Sequence, residues 1–277
     1  MLTIWKQDNG LKQVDKYEKN TWINVINPTR TEIEQLTEEY HVPLDFINDI
    51  LDVDERSRTE MEGRWLLVIV RVPVYNEAHN IPYFTIPLGV LISLHSIVTI
   101  CLMDNEVIKE LQFSPRFKNI KLDNKSNFVM QLFLISATHF LKYLKEINRL
   151  TNEIEHDLEK STRNKELHRL LKMEKCLVFF ITSLKSNELL INKLQRAKYV
   201  NFNEIDEDQL EDVLIENKQA LEMSYIYSDI QSGLMDAFAS VISNNLNQVM
   251  KQLTSFTIIL MIPTLVASIY EIGRAHV

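Results

Sequence analysis

From Glu204 to Tyr270 the chain offers one glycine, Gly233, and one proline, Pro263. A stretch that long with so few breakers predicts a continuous helix. Leu214, Leu221, Met235, Ile242 and Val249 fall in one heptad register, with Ser228 as its polar member, which predicts a single packing stripe. At ~1.5 Å per residue such a helix spans roughly 90 Å, far more than a compact domain needs. That length implies a stalk or an oligomer. The acidic start, with Glu204, Asp206, Glu207 and Asp208, reads as a solvated cap favourable to the helix dipole.

The far end of this helix changes solvent. Residues 253–270 (LTSFTIILMIPTLVASIY) carry no charge. A helix of that length covers about 27 Å, close to the roughly 30 Å hydrocarbon core of a bilayer. A buried soluble helix could be as long, but this run ends a long polar helix with little left to cover it. Pro263 is tolerable in a membrane helix, where neighbours re-satisfy the freed carbonyl. Thr254, Ser255, Thr257, Thr264 and Ser268 suit helix packing or a wetted pore.

Charge and motifs exclude several functions. Lys and Arg number 30 against 38 Asp and Glu, a net charge of −8. That balance provides no basic face for nucleic acid. Cys101 and Cys176 stand in apolar surroundings without metal spacing and read as buried, reduced thiols. Glu153, Glu155, His156 and Asp157 resemble metal ligands in type only and read as the solvated tip of a helix pair. No Gly-rich phosphate loop, nucleophile elbow or Cys/His pair occurs, so no enzyme is expected. The N-terminus, with Lys6 and Asp8, has no signal-peptide character, which keeps the bulk of the chain in the cytosol.

Residues 1–120 read as mixed α and β. Strands are expected at residues 2–6, Thr21–Ile26, 65–74, Tyr83–Ile92 and 96–102, from their Val, Ile and aromatic content. Thr29 with Glu32 forms a capping box ahead of a helix at 32–40. Pro43 opens a second helix, Leu44–Leu51, and a short one follows at 105–111. Two long amphipathic helices, 128–160 and Asn164–Arg196, flank a short polar break, which predicts an antiparallel pair.

The boundary between stalk and span carries the most specific pattern: Asn247, two residues, Met250-Lys251, one residue, Leu253-Thr254, then an apolar run with a proline closing at Ile269-Tyr270. This resembles the start of the first membrane helix of CorA-type magnesium transporters, and the order of elements along the whole chain resembles that family's cytoplasmic funnel. The resemblance implies an α+β fold. Its parts would be an N-terminal α/β/α cytoplasmic domain (1–120), long antiparallel helices (121–202), a very long stalk helix (203–252) and one transmembrane helix (253–270). It also implies a homopentamer in the cell membrane that conducts Mg2+, with Co2+ or Ni2+ as further cargo. Residues 271–277 depart from the family's Gly-Met-Asn loop and read as a non-native tail; on that reading the chain lacks the selectivity loop and second membrane helix and does not conduct.

By matched position, the resemblance implies a pore lined by Asp236, Asn247, Met250, Met261 and Thr264. Asn247 would form a polar ring, Met250 and Met261 apolar constrictions, and Asp236 a cation-concentrating charge. A regulatory Mg2+ site between subunits would use Asp49, in the motif Ile47-Asn48-Asp49-Ile50-Leu51, and Asp212 at the start of the stalk. Asn48 stands where many relatives carry Glu, which removes one charge there. Two readings compete: a zinc transporter of the same superfamily, and a non-conducting, tail-anchored coiled-coil scaffold.

Overall fold

The computed structural model describes residues 1–8, 10–117, 120–160, 164–197, 199 and 202–274. A seven-stranded sheet organises the first third. Its strands are β1 (Leu2–Gln7), β2 (Leu11–Val14), β3 (Thr21–Ile26), β4 (Arg58–Glu62), β5 (Trp65–Tyr75), β6 (Tyr83–Ile92) and β7 (Ser96–Cys101). Their order is β2-β1-β3-β7-β6-β5-β4, with β3 and β7 parallel and every other pair antiparallel.

Both faces of this sheet are covered, which is why β5 and β6 read as unbroken apolar runs. On one face Ile23, Leu67, Ile69, Leu91 and Val98 meet Leu36, Phe46, Ile47 and Ile50 from helices α1 (Arg30–Glu38) and α2 (Leu44–Leu51). On the other, Trp22, Leu66, Val68, Val90 and Ile97 meet α3 (Glu106–Phe113) and the ends of three long helices: α4 (Lys125–Lys160), α5 (Asn164–Arg196) and α6 (Glu207–Arg274). The result is the expected α/β/α sandwich continued by long helices. The predicted capping box is present: Thr29 N–H donates to the Glu32 carboxylate at 2.8 Å, and Glu32 N–H to Thr29 Oγ1 at 3.3 Å.

Two strands escape the sequence reading, β2 (LKQV) and β4 (RTEME). Both are sheet edges, where charge is used to block further pairing and apolar patterning fades. Pro73 and Pro87 are tolerated in β5 and β6 because each lies beyond the end of a flanking strand's pairing. β4 stops at Ile69 of β5, and β7 stops at Leu88 of β6. Beyond β4 the open edge of β5 is closed by a side chain. Asn187 of α5 accepts from Arg71 N–H at 3.0 Å and donates to Arg71 C=O at 2.8 Å, as a strand would.

α4 and α5 are antiparallel, as predicted: Phe140 stacks edge-on against Phe180, and Asp157 pairs with Arg169 at 3.5 Å. The predicted break at Ser161, Thr162 and Arg163 lies outside the described residues.

Gly89 sets how closely α2 approaches the sheet. A Cβ there would stand 2.2 Å from Ile50 Cδ1, inside the buried Ile50 side chain. Gly89→Ala is therefore expected to cost about 1–3 kcal/mol through overpacking. Adding Ile50→Ala should recover part of that loss in urea unfolding; additive losses would show that Ile50 does not set the contact.

Candidate ion pathway and regulatory site

α6 begins as its sequence dictates. Asp206 Oδ1 accepts from Gln209 N–H at 3.0 Å, and Glu207 and Asp208 fill the first turn. The helix then lies along α4 and α5 as far as Phe238. Its buried residues are Leu210, Val213, Asn217, Ala220, Ser224, Gln231 and Phe238. This corrects the predicted stripe. Leu214, Leu221 and Met235 sit on the flank, half-buried, while the heptad row that faces the bundle is Leu210, Asn217, Ser224, Gln231 and Phe238.

Polarity hid that row from a hydropathy reading. Its polar members are paired: Asn217 Nδ2 donates to Leu184 C=O at 3.2 Å, Gln231 Nε2 to Leu170 C=O at 2.6 Å, and Ser224 Oγ to Ala220 C=O at 2.7 Å. The first two bonds run from α6 to α5 and fix their relative height. Gln231 Oε1 is buried without a hydrogen-bond partner.

Past Phe238 none of the described residues covers α6, and residues 239–269 are all exposed. This length contains the uncharged run. Its hydroxyls turn inward on their own helix: Thr254 Oγ1 donates to Met250 C=O at 2.8 Å, Thr257 Oγ1 to Leu253 C=O at 2.9 Å, and Thr264 Oγ1 to Met261 C=O at 2.8 Å. Self-satisfied hydroxyls let such a helix enter lipid without stranded donors. α6 is the one helix among the described residues long and apolar enough to cross a membrane.

Asp236, Asn247, Met250, Met261 and Thr264 are all exposed on α6. At about 100° per residue they fall within an arc of about 100°, spread over roughly 42 Å of helix. Thr254, Thr257 and Ser268 lie on the same face, while Phe256, Ile259, Ile262 and Val266 lie opposite. Most of the span's hydroxyls therefore share one face, with Met250, Met261 and Leu265 among them, while Ser255 lies on the other. Asp236 offers its backbone carbonyl to Ser240 Oγ at 3.0 Å.

Asp49 sits on α2, half-exposed, beside the Ile50 that packs on Gly89. Asp212 is exposed on the first turns of α6, between buried Leu210 and Val213. The sheet lies between them, because α2 packs on one face and the start of α6 on the other. One chain does not bring the two carboxylates together. Asp49 Oδ2 instead accepts from Arg58 Nη2 at 2.5 Å. Arg58 also donates to Glu55 at 2.8 Å and to Glu60. Burial works to lower the Arg58 pKa, but its bonds to Glu60 and Glu55 outweigh it and leave the guanidinium pKa raised. Arg58 was missed by the sequence reading; its only signal is its place in the acid-rich run Asp52–Glu62 (DVDERSRTEME).

The loop between α2 and β4 is fastened from the other side by Arg71. Its buried guanidinium donates to the carbonyls of Val53, Glu55 and Thr85, at 2.5, 3.0 and 2.8 Å. Ser57 joins the same loop to α5, through its N–H to Ser186 Oγ at 3.1 Å and its hydroxyl to Asn187 Oδ1 at 2.7 Å. Elsewhere, burial pushes the thiols of Cys101 and Cys176 up to about 12 and about 11, as inert core thiols require. At the helix tip Glu153 pairs with Arg149 and Asp157 with Arg169, and the described residues hold no group of three or more metal-ligating side chains.

The described residues thus form an α/β/α domain continued by a three-helix bundle, one helix of which runs on into an apolar segment long enough to cross a membrane. The family of CorA-like Mg2+ transporter proteins matches residues 17–271. The chain belongs to that family. It is 25% identical to the cobalt/magnesium transport protein CorA of Methanocaldococcus jannaschii, over 92% of this chain and 80% of the relative. The complete structure of the CorA magnesium transporter from that organism superposes with a TM-score of 0.82 at 22% identity, covering 98% of this chain and 86% of that one. The cytoplasmic domain of ZntB from Vibrio parahaemolyticus shares the fold more distantly, with a TM-score of 0.65 at 14% identity, covering 89% and 98%.

The polar seam of α6 makes a counterintuitive prediction. Gln231→Met removes a buried, unpartnered oxygen at the loss of one hydrogen bond, and is expected to raise stability by about 1 kcal/mol in urea unfolding. A loss of stability would mean that the amide bond to Leu170 outweighs the stranded oxygen.

Proposed function

We propose that this chain is a subunit of a homo-oligomeric, pentameric channel for Mg2+, with Co2+ or Ni2+ as further cargo, closed by Mg2+ held between subunits. The observation that carries the reading is the family match over residues 17–271, which takes in both the folded domain and the uncovered apolar segment. The polar face of α6 supports a pore lined by Asp236, Asn247, Met250, Met261 and Thr264. Mg2+ dehydrates reluctantly, so a pore that offers amide and hydroxyl oxygens to its water shell suits it. Met250 and Met261 would interrupt that face with apolar rings able to gate by dewetting. On this reading the α/β/α domain lies in the cytoplasm and the apolar run in the cell membrane.

Asp49 and Asp212 fit a regulatory ion only across a subunit boundary, because the sheet separates them within one chain. Their carboxylate oxygens are hard donors, and two of them leave the remaining positions of an octahedral Mg2+ shell to water. Facing carboxylates without the ion repel, which loosens the interface; the bound ion reverses the sign.

The regulatory half is tested by limited proteolysis across a MgCl2 series. Asp49→Asn and Asp212→Asn should each raise the Mg2+ needed for half-protection by about tenfold or more, since each removes one of two charged ligands. Protection at the unaltered Mg2+ concentration would remove these residues from the site. The transport half is tested by ion uptake into proteoliposomes holding the protein with a Gly-Met-Asn loop and a second membrane helix joined after Tyr270, with Mg2+, Co2+ and Zn2+ supplied in parallel. Mg2+ and Co2+ uptake is expected, with faster leak when Met250 and Met261 are both replaced by Ser. Zn2+ uptake without Mg2+ uptake would transfer the chain to zinc transport, and uptake of none would favour a scaffold.

A further inference from the structure

Each of the three guanidinium nitrogens of Arg58 meets a different carboxylate: Nε meets Glu55 at 2.8 Å, Nη2 meets Asp49 at 2.5 Å and Nη1 meets Glu60. Arg58 and Asp49 are about one-third exposed, at 31% and 38%. Both are thus within reach of solvent. The backbone of Arg58 is not free to follow its side chain. It pairs with Ile69 in the sheet, and the preceding Ser57 is bonded to Ser186 and Asn187 of α5. The guanidinium is therefore presented to Asp49 by a fixed strand end.

We propose that Arg58 is a built-in counter-ion that competes with the regulatory divalent cation for Asp49 and so sets the concentration at which that ion binds. The inference rests on the reading of Asp49 as a regulatory ligand. A guanidinium on Oδ2 repels a divalent ion arriving at the same carboxylate, so ion binding to Asp49 is favoured by displacing Arg58. Displacement is mild, because Glu55 and Glu60 keep their bonds to the other two nitrogens. When the ion leaves, Arg58 returns to Asp49, and the carboxylate is never bare. Uncharged Asn48 beside Asp49 adds nothing to the ion's side of this competition. Arg58 thereby weakens the site in a graded way, and keeps it from holding its ion when the ion is scarce.

The test is the Mg2+ midpoint of protease protection for the full chain in detergent, at ionic strength held constant with NaCl. Arg58→Gln should lower the midpoint about tenfold, as expected for removing a close charge-assisted competitor. Arg58→Lys, which keeps the charge, should move it by less than about threefold. Arg56→Gln removes the same charge from an exposed side chain two residues away and should leave the midpoint in place. Should Arg58→Gln melt early, Arg58→Met keeps the packed stem and is read the same way. An unchanged or raised midpoint for Arg58→Gln or Arg58→Met, or equal shifts for Arg58→Gln and Arg56→Gln, overturns the competition. Asp49→Asn separates the two claims. If it abolishes the Mg2+ response while Arg58→Gln leaves it intact, the regulatory site stands and the role of Arg58 falls. If Asp49→Asn leaves the midpoint untouched, the site itself falls.

Discussion

The structure depends on how one helix is held over half its length and released over the other half. Up to Phe238, α6 is locked into the bundle by a buried row in which Leu210 and Phe238 bracket Asn217, Ser224 and Gln231. An apolar row alone would tolerate sliding by a turn, since one leucine fits a groove much as another does. Amide side chains bonded to particular carbonyls, Leu184 and Leu170 of α5, do not tolerate it. The height of α6 is therefore specified, and every residue on the uncovered length beyond it inherits that height. Polar residues at single core positions commonly fix register in coiled coils in this way.

That division explains which parts of the fold were legible in the sequence. The covered sheet strands, the capping box at Thr29 and the three long helices each announce themselves through a local pattern. β2 and β4 did not, because an edge strand is kept polar for the same reason that makes it hard to see. The buried face of α6 was misread by four residues, because hydropathy weights Leu214, Leu221 and Met235 above Asn217, Ser224 and Gln231, although the latter make the specific bonds. The candidate site divided likewise. The residues of the polar face of α6 could be named from a motif, and their common face follows from helix geometry alone. Arg58 could not be named, since its partnership with Asp49 arises only when the strand end meets the helix end across the turn between them.

The surroundings of Asp49 also connect the two halves of the molecule. Asp49 bonds Arg58; Arg58 follows Ser57; and Ser57 bonds Ser186 and Asn187 on α5. Arg71 holds the intervening loop at Val53 and Glu55 and is itself bonded at its backbone to Asn187. α5 in turn receives the amides of Asn217 and Gln231 from α6. A contiguous set of hydrogen bonds therefore runs from the exposed carboxylate on one face of the sheet to the helix that continues into the apolar segment. Such continuity is a physical route for coupling only where an element has two arrangements that a ligand can bias. On the proposed reading, the element with two available partners is the Asp49 carboxylate, which faces Arg58 in this structure and an external cation when the ion is bound. A change of partner there moves charge at the end of a strand whose other contacts are fixed, so its consequence falls on the exposed surface more than on the core. On the proposed reading the folded domain keeps its shape, and regulation is a matter of how strongly one copy holds the next.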